Sequence, residues 1–335
     1  MKILNQQIFE NKEAAALPGL MESGGLPALV SGLSGIHRVN LAAALYEKLE
    51  LPMFVVCPDD SAAESFSRDL EAMLGRPVNT LYSRDFTFYP SLAASREAEQ
   101  KRLYVLNALR CGESPVTVAT VSALMQRAIP PQTLGKAAFT VKDGEPCPPE
   151  ELEAALLRCG YTRCEQVEGT GQFARRGGII DFFSPAYPEP VRIEFWGDDI
   201  DSMGFFNIKT QRRTESVEIC RILPAAESLT TLASGGTESL TDALRAAADK
   251  CARHKSSQQL RQLEQNLRAD IERLEQNVKI EYADRYMPFL YEKASGADYI
   301  PEEAVVFLDQ PPRCADRAKG FAKQLGDDLS ELVKS

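Results

Sequence analysis

The sequence predicts an α/β protein in which a parallel-sheet domain is interrupted by an inserted antiparallel α+β domain and completed by a helical C-terminal segment. Up to about residue 132, short apolar runs alternate with helical patterns. From 133 to 227, strand-like runs separated by turns follow one another, with one helix among them. From 228 to 335 the pattern is helical, apart from one late apolar run, Val305–Leu308. The predicted domains are therefore 1–132, 133–227 and 228–335.

The first segment alternates strands and helices, as a parallel sheet covered on both faces requires. The predicted strands are Leu26–Val30, Met53–Val56, Val78–Tyr82 and Val116–Thr120. The predicted helices are Val39–Leu49, a helix opened by Asp59-Asp60-Ser61 and closed at Gly75, and Ser95–Leu109. Ser61 and Glu64 have the spacing of a capping box at the start of the second helix.

The middle segment has the alternating pattern of antiparallel strands. One helix, Glu150–Cys159, precedes the strands and ends at Gly160. The predicted strands are Gln172–Arg175, Gly178–Phe183, Val191–Phe195, Gly204–Asn207 and Val217–Ile222.

The last segment contains a long amphipathic helix and one isolated strand. Apolar residues recur every three or four positions at Leu260, Leu263, Leu267, Ile271, Leu274 and Val278. A coiled-coil dimer is one interpretation, and packing on the molecule's own core is the interpretation favoured by the short run. Val305–Leu308 has the fully apolar pattern of a buried parallel strand, so we expect it to join the N-terminal sheet and make the middle segment an insertion.

Composition narrows the classes of function. The chain has 335 residues, enough for two or three domains, and a net charge of -10, which argues against a sequence-independent grip on nucleic acid. No run of about 18 apolar residues is present, and the N-terminus lacks the apolar core of a signal peptide. We therefore expect a cytoplasmic protein without a membrane partner.

Cysteine and histidine usage argues against metal and redox chemistry. The eight cysteines are scattered, and the closest pair, Cys159 and Cys164, has neither zinc nor redox spacing. The two histidines, His37 and His254, are too few for a multi-histidine metal site. We expect reduced core thiols and no cofactor in this chain.

A glycine-rich turn between an apolar run and a helix, VSGLSGIHRV, has the shape of a phosphate-binding loop. A working loop reads GxxxxGK[ST], and here Gly32 is the first glycine while His37, Arg38 and Val39 replace the second glycine, the lysine and the hydroxyl residue. Gly35 lies within the turn. Val39 has no oxygen for a magnesium ion. The late strand is followed by Asp309 and Gln310, where an acidic pair would be needed. We therefore predict a degenerate nucleotide loop without catalytic residues.

Two stretches of the middle segment are distinctive: GQFARRGGIIDFF at 171–183 and VRIEFWGDDIDS at 191–202. With TQR at 210–212 and LPA at 223–225, they resemble the UvrB-like region of the bacterial transcription-repair coupling factor family, Mfd, over nearly the whole chain. The resemblance implies a helicase-like sheet domain and an inserted domain that binds UvrA in competition with UvrB. It also implies that contacts with RNA polymerase and DNA, and an ATP-driven translocase, belong to domains beyond this chain.

The stretch YSRDFTFYPSL at 82–92 favours a resemblance to Mfd over a resemblance to UvrB itself. UvrB carries a long aromatic-rich hairpin at that place, and eleven residues are too few for it. Tyr82, Phe86, Phe88 and Tyr89 could form a stacking platform for bases. Because Arg84 is the one basic residue nearby, we favour core or turn packing.

The candidate partner surface consists of Arg176, Arg192 and Trp196. Strand alternation places Arg192, Glu194 and Trp196 on one face and three apolar residues on the other, so we expect an outward tryptophan beside an arginine. Arginine and tryptophan are frequent interface anchors. The family's UvrA contacts correspond to these three positions. The alternative is a set of solvated arginines paired with Glu189, Glu194 and Asp198. We expect folding to depend little on Arg192 or Trp196.

Three hypotheses of function follow. The first is a non-catalytic adaptor that recruits the excision-repair machinery by binding UvrA. The second is a nucleotide-dependent, helicase-like enzyme that uses Gly32–Val39 and Asp309. The third is a direct DNA-binding domain, which would show strongly salt-dependent binding.

Overall fold

The computed structural model describes residues 7–84, 96–253, 258–278, 280 and 283–334. The predicted stacking residues Phe86, Phe88 and Tyr89 lie outside this description. The chain divides into two compact units. The first comprises Met1–Ser83, Ala108–Gln126 and Tyr299–Gln324, and the second comprises Arg84–Asn107, Arg127–Asp298 and Leu325–Ser335.

The first unit is built on a four-stranded parallel sheet. Its strands are β1 (Met53–Cys57), β2 (Asn79–Leu81), β3 (Val116–Thr120) and β12 (Val305–Leu308), in the order β12-β1-β3-β2. β1 and β3 are buried along their whole length, because their apolar residues face covering elements on both sides of the sheet. The parallel order and the apolar strands confirm the predicted α/β pattern.

The prediction that Val305–Leu308 joins this sheet is confirmed. β12 pairs with β1 in parallel register, Val305 opposite Met53 and Leu308 opposite Val56. The prediction that this strand is buried is wrong, because β12 lies at the edge of the sheet. Val305 and Phe307 pack on the sheet core, whereas Val306 and Leu308 are half exposed.

The predicted strand Leu26–Val30 is wrong. The segment is an irregular, exposed connection with a bend at Pro27, which has no N–H to donate to a strand ladder. Leu29 is 84% exposed. The helices of this unit are α1 (Lys12–Glu22), α2 (Gly35–Leu49), α3 (Asp60–Leu74) and α5 (Val121–Met125).

The start of α3 also differs from the prediction. Asp59, rather than Ser61, is the N-cap, and its carboxylate accepts a hydrogen bond from the Ala62 N–H at 3.0 Å. The predicted capping box is therefore wrong, because the helix begins at Asp60 and Ser61 already lies inside it. Gly75 ends α3 in the left-handed conformation, as predicted, and its N–H bonds to the Glu71 carbonyl.

The second unit contains the antiparallel segment. Its six-stranded sheet has the order β10-β9-β8-β7-β6-β5, and β4 pairs separately with β11. The strands are β4 (Phe139–Lys142), β5 (Thr162–Arg163), β6 (Gln172–Arg176), β7 (Ile179–Phe182), β8 (Val191–Trp196), β9 (Asp199–Phe206), β10 (Arg213–Ser216) and β11 (Ile219–Ile222). All neighbours in the larger sheet are antiparallel except β5 and β6.

One face of this sheet covers an apolar core. Phe173, Phe182, Val191 and Ile193 are fully buried there with Leu156 of α7 (Pro149–Arg158). A smaller apolar cluster on the other sheet face contains Val167, Ala174 and Phe206. α6 (Pro131–Ala137) precedes β4.

The remaining helices are α4 (Arg96–Arg110), α8 (Gly236–Ala252), α9 (Gln258–Glu275), α10 (Met287–Leu290) and α11 (Pro311–Lys334). α9 packs along α8 and buries Leu267, Ile271 and Leu274. The periodic face of α9 therefore packs within the molecule, as favoured, whereas Leu263 and, beyond the end of the helix, Val278 are about half exposed.

Candidate protein-binding site

The site lies on the sheet face opposite the larger core, where β7 places Asp181 and β8 places Arg192 and Glu194. The antiparallel register puts Asp181 directly opposite Arg192. Asp181 Oδ1 accepts a hydrogen bond from Arg192 Nε at 2.7 Å, and Oδ2 accepts one from Nη2 at 2.9 Å. The Asp181 side chain is 2% exposed and the Arg192 side chain 19%. This is a bidentate, mostly buried ion pair, the strongest hydrogen-bonded arrangement of these two groups.

Two further residues hold the Arg192 guanidinium. Nη1 donates to the Gln211 carbonyl at 3.3 Å, and Nη2 donates to Gln211 Oε1 at 3.2 Å. The guanidinium carbon lies over the Phe206 ring, 4.6 Å from its centroid. The hydrogen bond with Asp181 raises the pKa of Arg192 above its ordinary value. Arg192 is therefore a fixed positive charge.

Arg176, at the end of β6, approaches the same carboxylate from the other side. Its Nη2 lies 3.6 Å from Asp181 Oδ2, and its side chain is 55% exposed. One buried carboxylate thus faces two guanidinium groups, one held tightly and one loosely. The three charges sum to +1, and the exposed part of this positive charge belongs mainly to Arg176.

A glycine pair joins this arginine to the end of β8. Gly177, with φ 58°, and Gly178 form the turn between β6 and β7. The Gly178 carbonyl accepts a hydrogen bond from the Phe195 N–H at 2.8 Å, and a Cβ on Gly178 would lie 3.2 Å from the Phe195 carbonyl. The backbone after Arg176 therefore lies directly against the residue before Trp196.

Trp196 is the last residue of β8 and is 83% exposed. It pairs with Asp199 across the β8–β9 turn, beyond a bulge at Glu194 and Phe195. Val191 and Ile193 are buried while Arg192 and Trp196 lie on the opposite face, so the predicted alternation is confirmed. A large apolar side chain stands in solvent at the edge of a basic site.

Among the described residues, the ion pairs of Arg176 and Arg192 are with Asp181, which the alternative did not include. Glu189 accepts a hydrogen bond from the Thr214 hydroxyl, and Glu194 accepts one from the Ser202 hydroxyl. Both interface arginines instead pair with Asp181, which the sequence reading missed. An aspartate inside the apolar run GGIIDFF was the available signal, because a charge in a buried strand needs a partner on a neighbouring strand.

The degenerate nucleotide loop belongs to the first compact unit. Gly32 and Gly35 have positive φ values of 81° and 33°, so the turn has the predicted backbone freedom. Arg38 lies on α2, and its Nε is 3.0 Å from Asp309 Oδ1. Val39 is buried, and His37 lies near the Ser34 hydroxyl.

A cleft of about 310 Å³ adjoins this loop. Asp59 Oδ2 accepts a hydrogen bond from Arg313 Nη2 at 3.0 Å at its rim, so two internal ion pairs occupy four of the charged residues that line the cleft, and Asp69 is the fifth. Burial raises the pKa of the Cys57 thiol above its ordinary range and that of Cys314 to about 11. Both thiols are therefore protonated and poorly nucleophilic near neutral pH.

Within the described ranges, no cluster of three or more His, Cys, Asp or Glu side chains has the geometry to hold a metal ion. Among the helices that the structure describes, none is long and apolar enough to cross a membrane.

The parallel sheet and the antiparallel segment with its arginine–tryptophan face define an α/β protein with a candidate protein-binding site. The family described as UvrB interaction domain matches residues 139–227, which include every residue of this face. The chain is similar to several transcription-repair-coupling factors, which agrees with the resemblance found in the sequence.

Three relatives document this similarity. The transcription-repair-coupling factor of Bacillus subtilis is 29% identical over 337 residues, covering 98% of this chain and 28% of the relative. That of Myxococcus xanthus is 29% identical over 84% of this chain and 24% of the relative. That of Escherichia coli is 29% identical over 61% of this chain and 18% of the relative. The chain thus spans about a quarter of the length of the first two relatives.

Proposed function

We propose that the chain is a non-catalytic adaptor whose antiparallel domain binds UvrA and so recruits nucleotide excision repair to a stalled RNA polymerase. The observation that carries this proposal is the 83% exposure of Trp196 on β8, the strand that also carries Arg192 of the ordered arginine pair. The match of residues 139–227 to the UvrB interaction domain supports the choice of partner. Contacts with RNA polymerase and DNA would belong to other parts of such a protein.

The chemistry of the face favours an acidic protein partner. Arg176 offers an exposed guanidinium that can bind a carboxylate through two parallel hydrogen bonds. Trp196 can bury a large apolar area next to this charge. Large desolvated aromatic residues next to arginine are the usual centres of binding energy at protein interfaces.

The first compact unit gives the reason for a non-catalytic role. In a working phosphate loop the cation at this position contacts the nucleotide phosphates, and the acidic residue after the buried strand serves the metal. Here Arg38 and Asp309 bind each other. A nucleotide would have to break this pair and would still find no hydroxyl at Val39.

A pull-down with purified UvrA tests the proposal. The parent chain is expected to retain UvrA, with and without ATP and magnesium. Ile219→Ala is the matched control for Trp196→Ala, because Ile219 is another exposed apolar residue of the same unit. Retention of UvrA by Ile219→Ala and its loss in Trp196→Ala would support the assigned face, whereas a parent chain that retains no UvrA would refute the proposal.

A further inference from the structure

We infer that Asp181, with Gln211, is the positioning residue of the UvrA-binding face: it sets Arg176 and Arg192 side by side before the partner arrives. This inference rests on the proposed function. It concerns which residues prepare the face, rather than which residues touch the partner.

The Asp181 carboxylate lies where it can contact both arginines but is itself covered by them. The carboxylate is 2% exposed and lies beneath the two guanidinium groups, 2.7 and 2.9 Å from Arg192 nitrogens and 3.6 Å from Arg176 Nη2. A partner could reach Asp181 only by displacing both arginines. Asp181 therefore acts through the arginines and makes no direct partner contact.

The Asp181 carboxylate also reduces the electrostatic repulsion between Arg176 and Arg192. Two guanidinium groups repel each other, and this repulsion is larger near a protein surface of low effective dielectric than in water. A carboxylate between them offsets that repulsion. Without it, the exposed Arg176 side chain would be free to turn away from Arg192 into solvent, and binding would require that it be ordered again.

Gln211 completes the positioning from the turn before β10. Its φ of 59° is unusual for a residue with a side chain, and this conformation directs both its carbonyl and its Oε1 to Arg192. Gln211 Nε2 is itself held by the Ile208 carbonyl at 2.7 Å. The Arg192 guanidinium is thus fixed from two strands and one turn, and it forms a rigid neighbour for Arg176.

A double-mutant cycle on UvrA binding tests the inference. Arg176→Ala and Asp181→Asn are each expected to weaken binding about 10-fold. If Asp181 acts through the arginines, the double variant should lose about 10- to 30-fold, because the second change removes an interaction that the first has already disabled. A loss near the product, about 100-fold, would mean that the two residues act independently and would overturn the inference.

Controls separate this inference from the proposed function. Asp143→Asn makes the same charge change at an exposed turn of the same unit and should bind like the parent. If the parent does not bind UvrA, the proposed function fails. If Arg176→Ala weakens binding but Asp181→Asn does not, the positioning inference alone is overturned.

Asp181→Asn leaves Arg192 without its buried partner and could prevent folding. Gln211→Ala is then the decisive variant, because it removes the Oε1 contact with Arg192 and the Nε2 contact with the Ile208 carbonyl but leaves the ion pair intact. The variant is expected to fold and to bind UvrA about 3-fold more weakly than the parent. Parent-like affinity of a folded Gln211→Ala chain would overturn the inference.

Discussion

Trp196 is an exposed aromatic residue, and its side chain is not part of the apolar core. Its side chain is 83% exposed at the end of β8, so Trp196→Ala should leave the melting temperature unchanged. Loss of an interface anchor typically costs about 2 kcal/mol or more, which corresponds to roughly a 30-fold loss of affinity for UvrA. Thermal melts combined with a binding titration measure both effects. A folded variant with parent-like affinity would show that Trp196 lies outside the interface.

Arg192 is expected to behave differently from its neighbour Arg176. Removing one member of a buried ion pair leaves the other charge uncompensated and costs about 3 kcal/mol or more. Because Asp181 is 2% exposed, Arg192→Ala should destabilise the second unit by about this amount, whereas Arg176→Ala should cost less than 1 kcal/mol. Urea denaturation measures the two values. Equal stabilities of the two variants would contradict the assigned roles.

The mostly buried ion pair with Asp181 leads us to expect a larger dependence of folding on Arg192 than the sequence alone suggested. Alternation along β8 predicted correctly which face Arg192 and Trp196 occupy. It could not reveal that Arg192 is covered by Gln211 and Phe206, because those residues belong to more distant parts of the chain. The sequence pattern of a strand predicts the face on which a side chain lies. Tertiary contacts determine how much of that side chain is exposed to solvent.

The edge strand β12 provides a test at the scale of one element. Phe307 packs against Phe66 of α3, with 5.9 Å between the ring centroids, whereas the neighbouring Val306 is half exposed. Phe307→Ala should destabilise the first unit by about 3 kcal/mol, and Val306→Ala by less than about 1 kcal/mol. Chemical denaturation followed by circular dichroism gives both values. Similar costs would contradict the register of β12 on β1.

A buried acidic cluster around α4 predicts a dependence of stability on pH. Glu99 accepts a hydrogen bond from the Glu227 N–H, and burial together with Asp284 and Glu227 raises the pKa of Glu99 to about 7. The folded chain then binds more protons than the unfolded chain between about pH 4.5 and 7, so this group's contribution is present at low pH and is lost as the pH rises through 7.

Glu99→Gln should remove this contribution. The stability difference between parent and variant should change by up to about 1.4 kcal/mol per pH unit in that window and stay constant above it. Urea denaturation at a series of pH values measures the difference. A constant difference from pH 4.5 to 8 would contradict the raised pKa of Glu99.

Among the elements, fully apolar or strictly alternating runs were predicted best. β1 and β3 agree with the predicted Met53–Val56 and Val116–Thr120 to within one residue. The apolar run Leu26–Val30 was mistaken for a strand, because composition alone does not show whether a neighbouring strand will pair with it. The predicted N-cap at Ser61 is wrong by two residues, because the Asp59 side chain accepts the capping hydrogen bond instead.

At the scale of the whole molecule, the nucleotide-like cleft is predicted to be inactive. ATP with magnesium should not raise the melting temperature of the parent chain, because Arg38 and Asp309 already bind each other. Arg38→Lys should not restore binding, since His37 and Val39 still replace the glycine and the hydroxyl residue. Calorimetry measures ATP binding by the parent chain and by Arg38→Lys. Magnesium-dependent ATP binding at micromolar concentrations would contradict the adaptor role.

The central claim is that UvrA binds the face formed by Arg176, Arg192 and Trp196. The most direct measurement is a calorimetric titration of purified UvrA with the parent chain and with the Arg176→Ala/Trp196→Ala variant. Arg158→Ala, which removes an exposed arginine from α7 of the same unit, is the matched control. We expect saturable binding by the parent and the control, and at least a 100-fold loss of affinity for the double variant. Absence of binding by the parent, or equal affinity of a folded double variant, would contradict it.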